Sequence, residues 1–170
     1  MKWPPFLILA VIALVCQTTV APALAIHAIW PDWMFILAVY YALWAPWPEA
    51  AIAAWCLGLL FGTQTLDPLG LHAFCYGAAA WGIVRVRQVV FREHAITQFA
   101  VTLLFAMGVQ LAVATFRWWR NAHEPSWIEG LTPAFFTALY TAAVAPFLHW
   151  ALLHTGWTGL RTGKKAGYRR

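Results

Sequence analysis

Charge is scarce in this chain. Of its 170 residues only 10% are charged, six acidic and eleven basic, where a soluble domain carries about a quarter. Hydrophobic residues make up 62% and the mean hydropathy is +0.66. That leaves too little polar surface to cover a globule in water, and the composition is that of an integral membrane protein. Paired cysteine patterns are missing as well. Cys16, Cys56 and Cys75 lie far apart inside apolar runs with no CxxC spacing, and read as small apolar residues of helices. The histidines form neither HxxxH nor HExxH, which argues against a metal site. Nucleophile elbows, phosphate-cradling loops and paired carboxylates are equally lacking. Asp32 and Asp67 could face the same side of a membrane, yet helix-capping and turn roles account for both. The expectation is a protein without catalytic residues, cofactor or metal, and not an enzyme.

What is present is apolar sequence in six runs, near 6–24, 32–46, 48–62, 70–88, 95–116 and 131–154. The first, fifth and sixth are long enough to cross a hydrocarbon core of ~30 Å. The second and third are short, punctuated by Pro31, Pro46 and Pro48, and read as a hairpin of short spans. The expected fold is therefore an all-α membrane protein of about six transmembrane helices, two of them short. Residues 1–160 would form one polytopic domain and 161–170 a basic tail.

The net charge of +5 follows the ends of the runs, as membrane orientation requires, and does not form a phosphate-tracking face. With the N-terminus inside, the inner segments hold nine cations: Lys2, Arg85, Arg87, Arg92, Arg161, Lys164, Lys165, Arg169 and Arg170. The outer segments hold two, Arg117 and Arg120. Both termini are accordingly expected in the cytoplasm. Most tryptophans, among them Trp3, Trp30, Trp33, Trp44, Trp47, Trp118 and Trp119, fall at or near run ends, where amphipathic indoles prefer to sit. Lys2, the first apolar run and Ala23–Ala25 imitate a secretory signal, and the expectation is an uncleaved first span. His149 reads as a satisfied interior or interfacial histidine.

The polar break "GLLFGTQTLDPLG" at 58–70 ends the third run. Before it, Ala50, Ala54, Gly58 and Gly62 recur every fourth residue and form a small-residue ridge, suited to close helix packing or to a partner helix. Within it, Asp67-Pro68-Leu69-Gly70 is turn chemistry, with Pro68 fixing φ and Gly70 accepting positive φ. Asp67 is placed to cap the next helix.

Pro31-Asp32-Trp33 before a short apolar run, Gly58-Leu59-Leu60 after it, a turn with Leu69-Gly70 and then an aliphatic-aromatic helix ending in arginines resemble the rod shape-determining MreD family in order and spacing. Length, the six-run layout and the inside charges agree with it. The family commonly carries an aspartate four residues after the glycine matched to Gly58. Here that position is Gly62, so no role of that aspartate is carried over.

The resemblance implies a non-enzymatic scaffold of the bacterial cell-elongation complex in the inner membrane. Its implied partner is MreC, and through MreC the elongation-specific penicillin-binding protein, RodA and the MreB filament, with membrane lipid around it. In fold the family is similar to the six-helix substrate-binding subunits of energy-coupling-factor vitamin transporters. A vitamin-binding subunit is the alternative, with His27, Asp32, Gln64, Asp67 and His72 as available pocket residues.

Overall fold

The computed structural model describes residues 3–87, 94–120, 127–156, 158 and 160, the side chains of 127–130 excepted. Lys2, Arg92 and the basic tail 161–170 lie outside the described residues. Six helices occupy the six apolar runs: α1 (Trp3–Ala23), α2 (Trp33–Trp44), α3 (Glu49–Gly62), α4 (Leu71–Val86), α5 (Ala95–Arg120) and α6 (Trp127–Thr155). Trp3–Ala23, Ala95–Arg120 and Leu131–Thr155 are long and apolar enough to cross a membrane, while α2 and α3 are shorter apolar helices. With 12 and 14 residues, these two measure about 18 and 21 Å.

Local chemistry sets the ends of the short helices. Asp32 has extended backbone angles and accepts hydrogen bonds at Oδ1 from the Met34 and Phe35 amides at 3.0 and 3.3 Å, the geometry of an N-cap. Proline disfavours helical angles in the residue before it, and Ala45, preceding Pro46, is extended with ψ 149°. Gly70 opens α4 with φ 102°, a left-handed angle that a side chain would oppose. In one respect the local reading differs from the structure. Asp67 does not cap α4, whose N-cap position is Gly70 without a side-chain bond. Its carboxylate is drawn instead to a cation on another helix.

The centre of the molecule is α2. Every residue from Met34 to Ala45 is buried, and the helix touches each of the other five. A helix that is apolar all round belongs in an interior, and this one has no polar face to give to water. Around it α1 neighbours α3, then α3 neighbours α4, α4 neighbours α5 and α5 neighbours α6. Among the described residues α6 and α1 make no such contact, so the ring is open on that side.

Both poles of α2 are held by charged side chains. Asp32 stands at the N-terminus, where the Trp33 amide also donates to Gln17 Oε1 at 2.9 Å and the Asp32 amide donates to Thr141 Oγ1 at 2.9 Å. At the C-terminus Arg87 of the α4 end donates to the Ala42 carbonyl at 2.9 Å and also to that of Ala45. An acid at the start and a base at the end both complement the helix dipole. Beneath the N-terminal pole, Phe35 of α2 stacks on Tyr76 of α4, with centroids 4.9 Å apart, and meets Phe105 of α5 edge-on at 5.8 Å.

The small-residue ridge faces inward. Ala50, Ala54, Gly58 and Gly62 are buried, and Gly58 lies against the backbone of α4. A Cβ built on Gly58 would stand 2.6 Å from the His72 carbonyl oxygen and 2.7 Å from Ala73 Cα.

Candidate functional site

Because consecutive helices run in opposite directions, the ends of α1, α3 and α5 meet the starts of α2, α4 and α6 at one end of the bundle. There they enclose a cavity of about 720 Å³. Gln17 and Thr18 come from α1, Trp30 and Asp32 from the segment before α2, Phe61 from the last turn of α3 and Gln64 and Thr65 from the polar break. His72 comes from α4, Gln110 and Arg117 from α5, and Thr137 from α6. Asp32, at the pole of the central helix, forms part of the lining although it is only 3% exposed.

One wall is an ion cluster. Arg117 donates from Nε to Asp67 Oδ1 at 2.7 Å and from Nη2 to Oδ2 at 2.6 Å, a bidentate pair that joins the α3–α4 turn to α5. His72 Nε2 donates to the same Oδ2 at 2.8 Å. The Arg117 hydrogen bonds hold the Asp67 carboxyl below its ordinary value. Burial opposes them, and the His72 bond and the Arg117 charge add to the lowering. His72 is 3% exposed, stands 4.9 Å from the Phe61 ring and has no partner for Nδ1 among the described residues.

The structure thus brings Asp32, Gln64 and His72 to one cavity, with Asp67 bonded to its wall. Pro31 is buried beside Asp32. Pro68 and Gly70 shape the turn that carries Asp67, the Pro68 carbonyl accepting from the Leu71 amide at 3.1 Å. His27 belongs to the α1–α2 loop, where its φ is 52°, and does not line the cavity. His149 is fully buried away from it, its Nε2 donating to the Ile36 carbonyl at 3.1 Å.

Gln17, Gln110, Arg117 and Thr137 did not emerge from the sequence as candidates. The available signal was an amide placed inside an otherwise apolar run, at positions 17 and 110. No group of three or more His, Cys, Asp or Glu residues suited to a metal occurs among the described residues. The cavity therefore offers one buried carboxylate, amides, hydroxyls and an ion cluster in which the charges are already matched. It is equipped to hold a polar group by hydrogen bonds.

Fold and cavity define a class: an all-helical membrane protein in which a short central helix ends beneath a polar chamber. The family model for the rod shape-determining protein MreD matches residues 1–154, nearly the whole chain, and the chain belongs to the MreD family. No curated protein and no solved structure matched it.

Proposed function

We propose that this chain is a non-enzymatic scaffold of the bacterial cell-elongation complex. In this reading it sits in the inner membrane as one polytopic domain, residues 1–160, followed by a basic tail. It holds MreC and, directly or through MreC, the elongation-specific penicillin-binding protein and RodA, with the MreB filament engaged indirectly. The observation that carries the reading is the family match across residues 1–154, since that family determines rod shape.

Both termini are assigned to the cytoplasm on the cation bias, which directs the polar cavity outward. The Ala50–Gly62 ridge serves packing inside the chain, an assignment supported by the contact of Gly58 with α4. Partner helices then use the outer faces. Ile12 of α1, Trp55 of α3, Leu104 of α5 and Phe147 of α6 all project away from the core, between 47% and 76% exposed.

Photo-crosslinkers at these four positions, in cells expressing the whole machinery, are expected to capture MreC or a cell-wall synthase from at least one face. A crosslinker at buried Ala54 is the control. Capture from none of the four, with the protein inserted at normal level, would count decisively against the scaffold. The vitamin-transport alternative asks for an outward polar pocket, which the cavity could supply. Membership of the MreD family favours shape determination over it, and the absence of thermal stabilisation by a vitamin panel would remove it.

A further inference from the structure

The cavity holds a carboxylate that the rest of the site does not answer. Asp32 Oδ1 accepts both cap hydrogen bonds, while Oδ2 takes none from any described residue. No cation among the described residues pairs with it. Arg117, the basic residue of the cavity wall, is engaged in the bidentate pair with Asp67, and His72 donates to Asp67 as well. A carboxylate that is 3% exposed and borders a polar chamber is costly until a donor reaches its second oxygen.

The surroundings narrow the chemistry of that donor. A divalent-cation site gathers several charged or coordinating side chains, and no group of three or more His, Cys, Asp or Glu residues occurs among the described residues. An ammonium group needs less: it brings three donors and one positive charge. Trp30 and Phe61 supply aromatic surface in the same lining, the kind that attracts an organic cation, and the Gln17, Gln64 and Gln110 side chains and the Thr137 hydroxyl supply further acceptors. At about 720 Å³ the chamber falls within the size range of small-ligand sites.

We infer that this cavity binds a ligand bearing a primary ammonium group, with Oδ2 of Asp32 as its acceptor and the amide and threonine walls holding the polar remainder. Two sources carry that chemistry, the ethanolamine headgroup of a phospholipid and a free small amine.

The test uses the full chain and its Asp32→Asn variant. Asparagine keeps a cap oxygen for the Met34 and Phe35 amides, so the variant retains its fold while losing the charge that holds an ammonium. In the first arm both proteins are placed in nanodiscs of phosphatidylethanolamine or of phosphatidylglycerol with the same acyl chains, and retained lipid is counted by native mass spectrometry. In the second arm ethanolamine is titrated into detergent-solubilised protein. A lipid source predicts retention of phosphatidylethanolamine over phosphatidylglycerol, reduced about tenfold in Asp32→Asn. A free amine predicts no lipid preference, with ethanolamine binding lost by a similar factor in the variant. Equal retention of the two lipids together with no ethanolamine binding overturns the inference, as does any binding that Asp32→Asn leaves unchanged.

Discussion

Asp32 uses one oxygen to close the first turn of α2 and leaves the other at the wall of a chamber, so its two substitutions separate two roles. Asp32→Ala removes the cap acceptor and is expected to cost about 1–2 kcal/mol of stability, while Asp32→Asn costs a few tenths. Denaturant titration in a fixed detergent would measure the difference, and equal losses would refute the cap. Asp67 responds to pH in a defined direction. Its carboxyl is held below the ordinary value of 3.8 chiefly by Arg117. The unfolded chain therefore binds the proton more readily, and the pair's contribution is complete above that value and lost as pH falls through the lowered one. Arg117→Met is expected to flatten the acid limb of thermal stability below about pH 4, and an unchanged limb would exclude the pair as its source. These residues were unequally legible. A cap is local, and aspartate before an apolar run announces it. The Asp67–Arg117 pair spans fifty positions, and nothing near either residue names the other, so turn chemistry at 67–70 suggested a local cap instead.

Among the elements, α3 and α4 pack as closely as backbones allow at one point and more loosely at the next. A Cβ at Gly58 would meet α4 backbone atoms at 2.6 and 2.7 Å, whereas at Gly62 it would meet only His72 Cβ at 3.9 Å. Gly58→Ala is thus expected to force the helices apart at a cost of about 1–3 kcal/mol. Gly62→Ala is expected to be neutral, or to gain up to about 1 kcal/mol from helix propensity. Similar unfolding curves for the two variants would show that the ridge does not set the α3–α4 distance. The four-residue spacing revealed the ridge but not what it faces, because the same spacing suits a helix of this chain or of another. The centrality of α2 was hidden for a related reason. Lipid tails and protein interiors are both apolar, so a hydropathy pattern cannot tell a helix sheathed in lipid from one sheathed in helices. Its length was legible, since Pro31 and Pro46 bracket it.

For the whole molecule, alternation of helix direction sends Trp47 and Leu66 to opposite ends of α3, and their side chains are 51% and 104% exposed. In a chain with Cys16, Cys56 and Cys75 replaced, Leu66→Cys should react with a membrane-impermeant maleimide added from the periplasmic side, and Trp47→Cys should react only after the membrane is opened. The reverse pattern would invert the orientation read from the cations. Six helices could be read from hydropathy because it is a property of single segments, and the cation bias gives an expected orientation for this labelling to test. The cavity was legible only as a set of available polar residues, Asp32, Gln64 and His72 among them, because its shape exists only where the ends of several segments converge.

The two charges that cap α2 have a consequence beyond that helix. Twelve residues separate them by about 18 Å, against a surrounding hydrocarbon layer of ~30 Å. Along its own axis the protein therefore offers an insulating thickness roughly 12 Å less than the lipid beside it. The same shortness reaches the lipid at α3, about 21 Å long with Ile52 and Trp55 exposed, and there neighbouring acyl chains must tilt or shorten, making a strip of strained lipid where other short-spanned proteins would come to rest at lower cost than in the open bilayer.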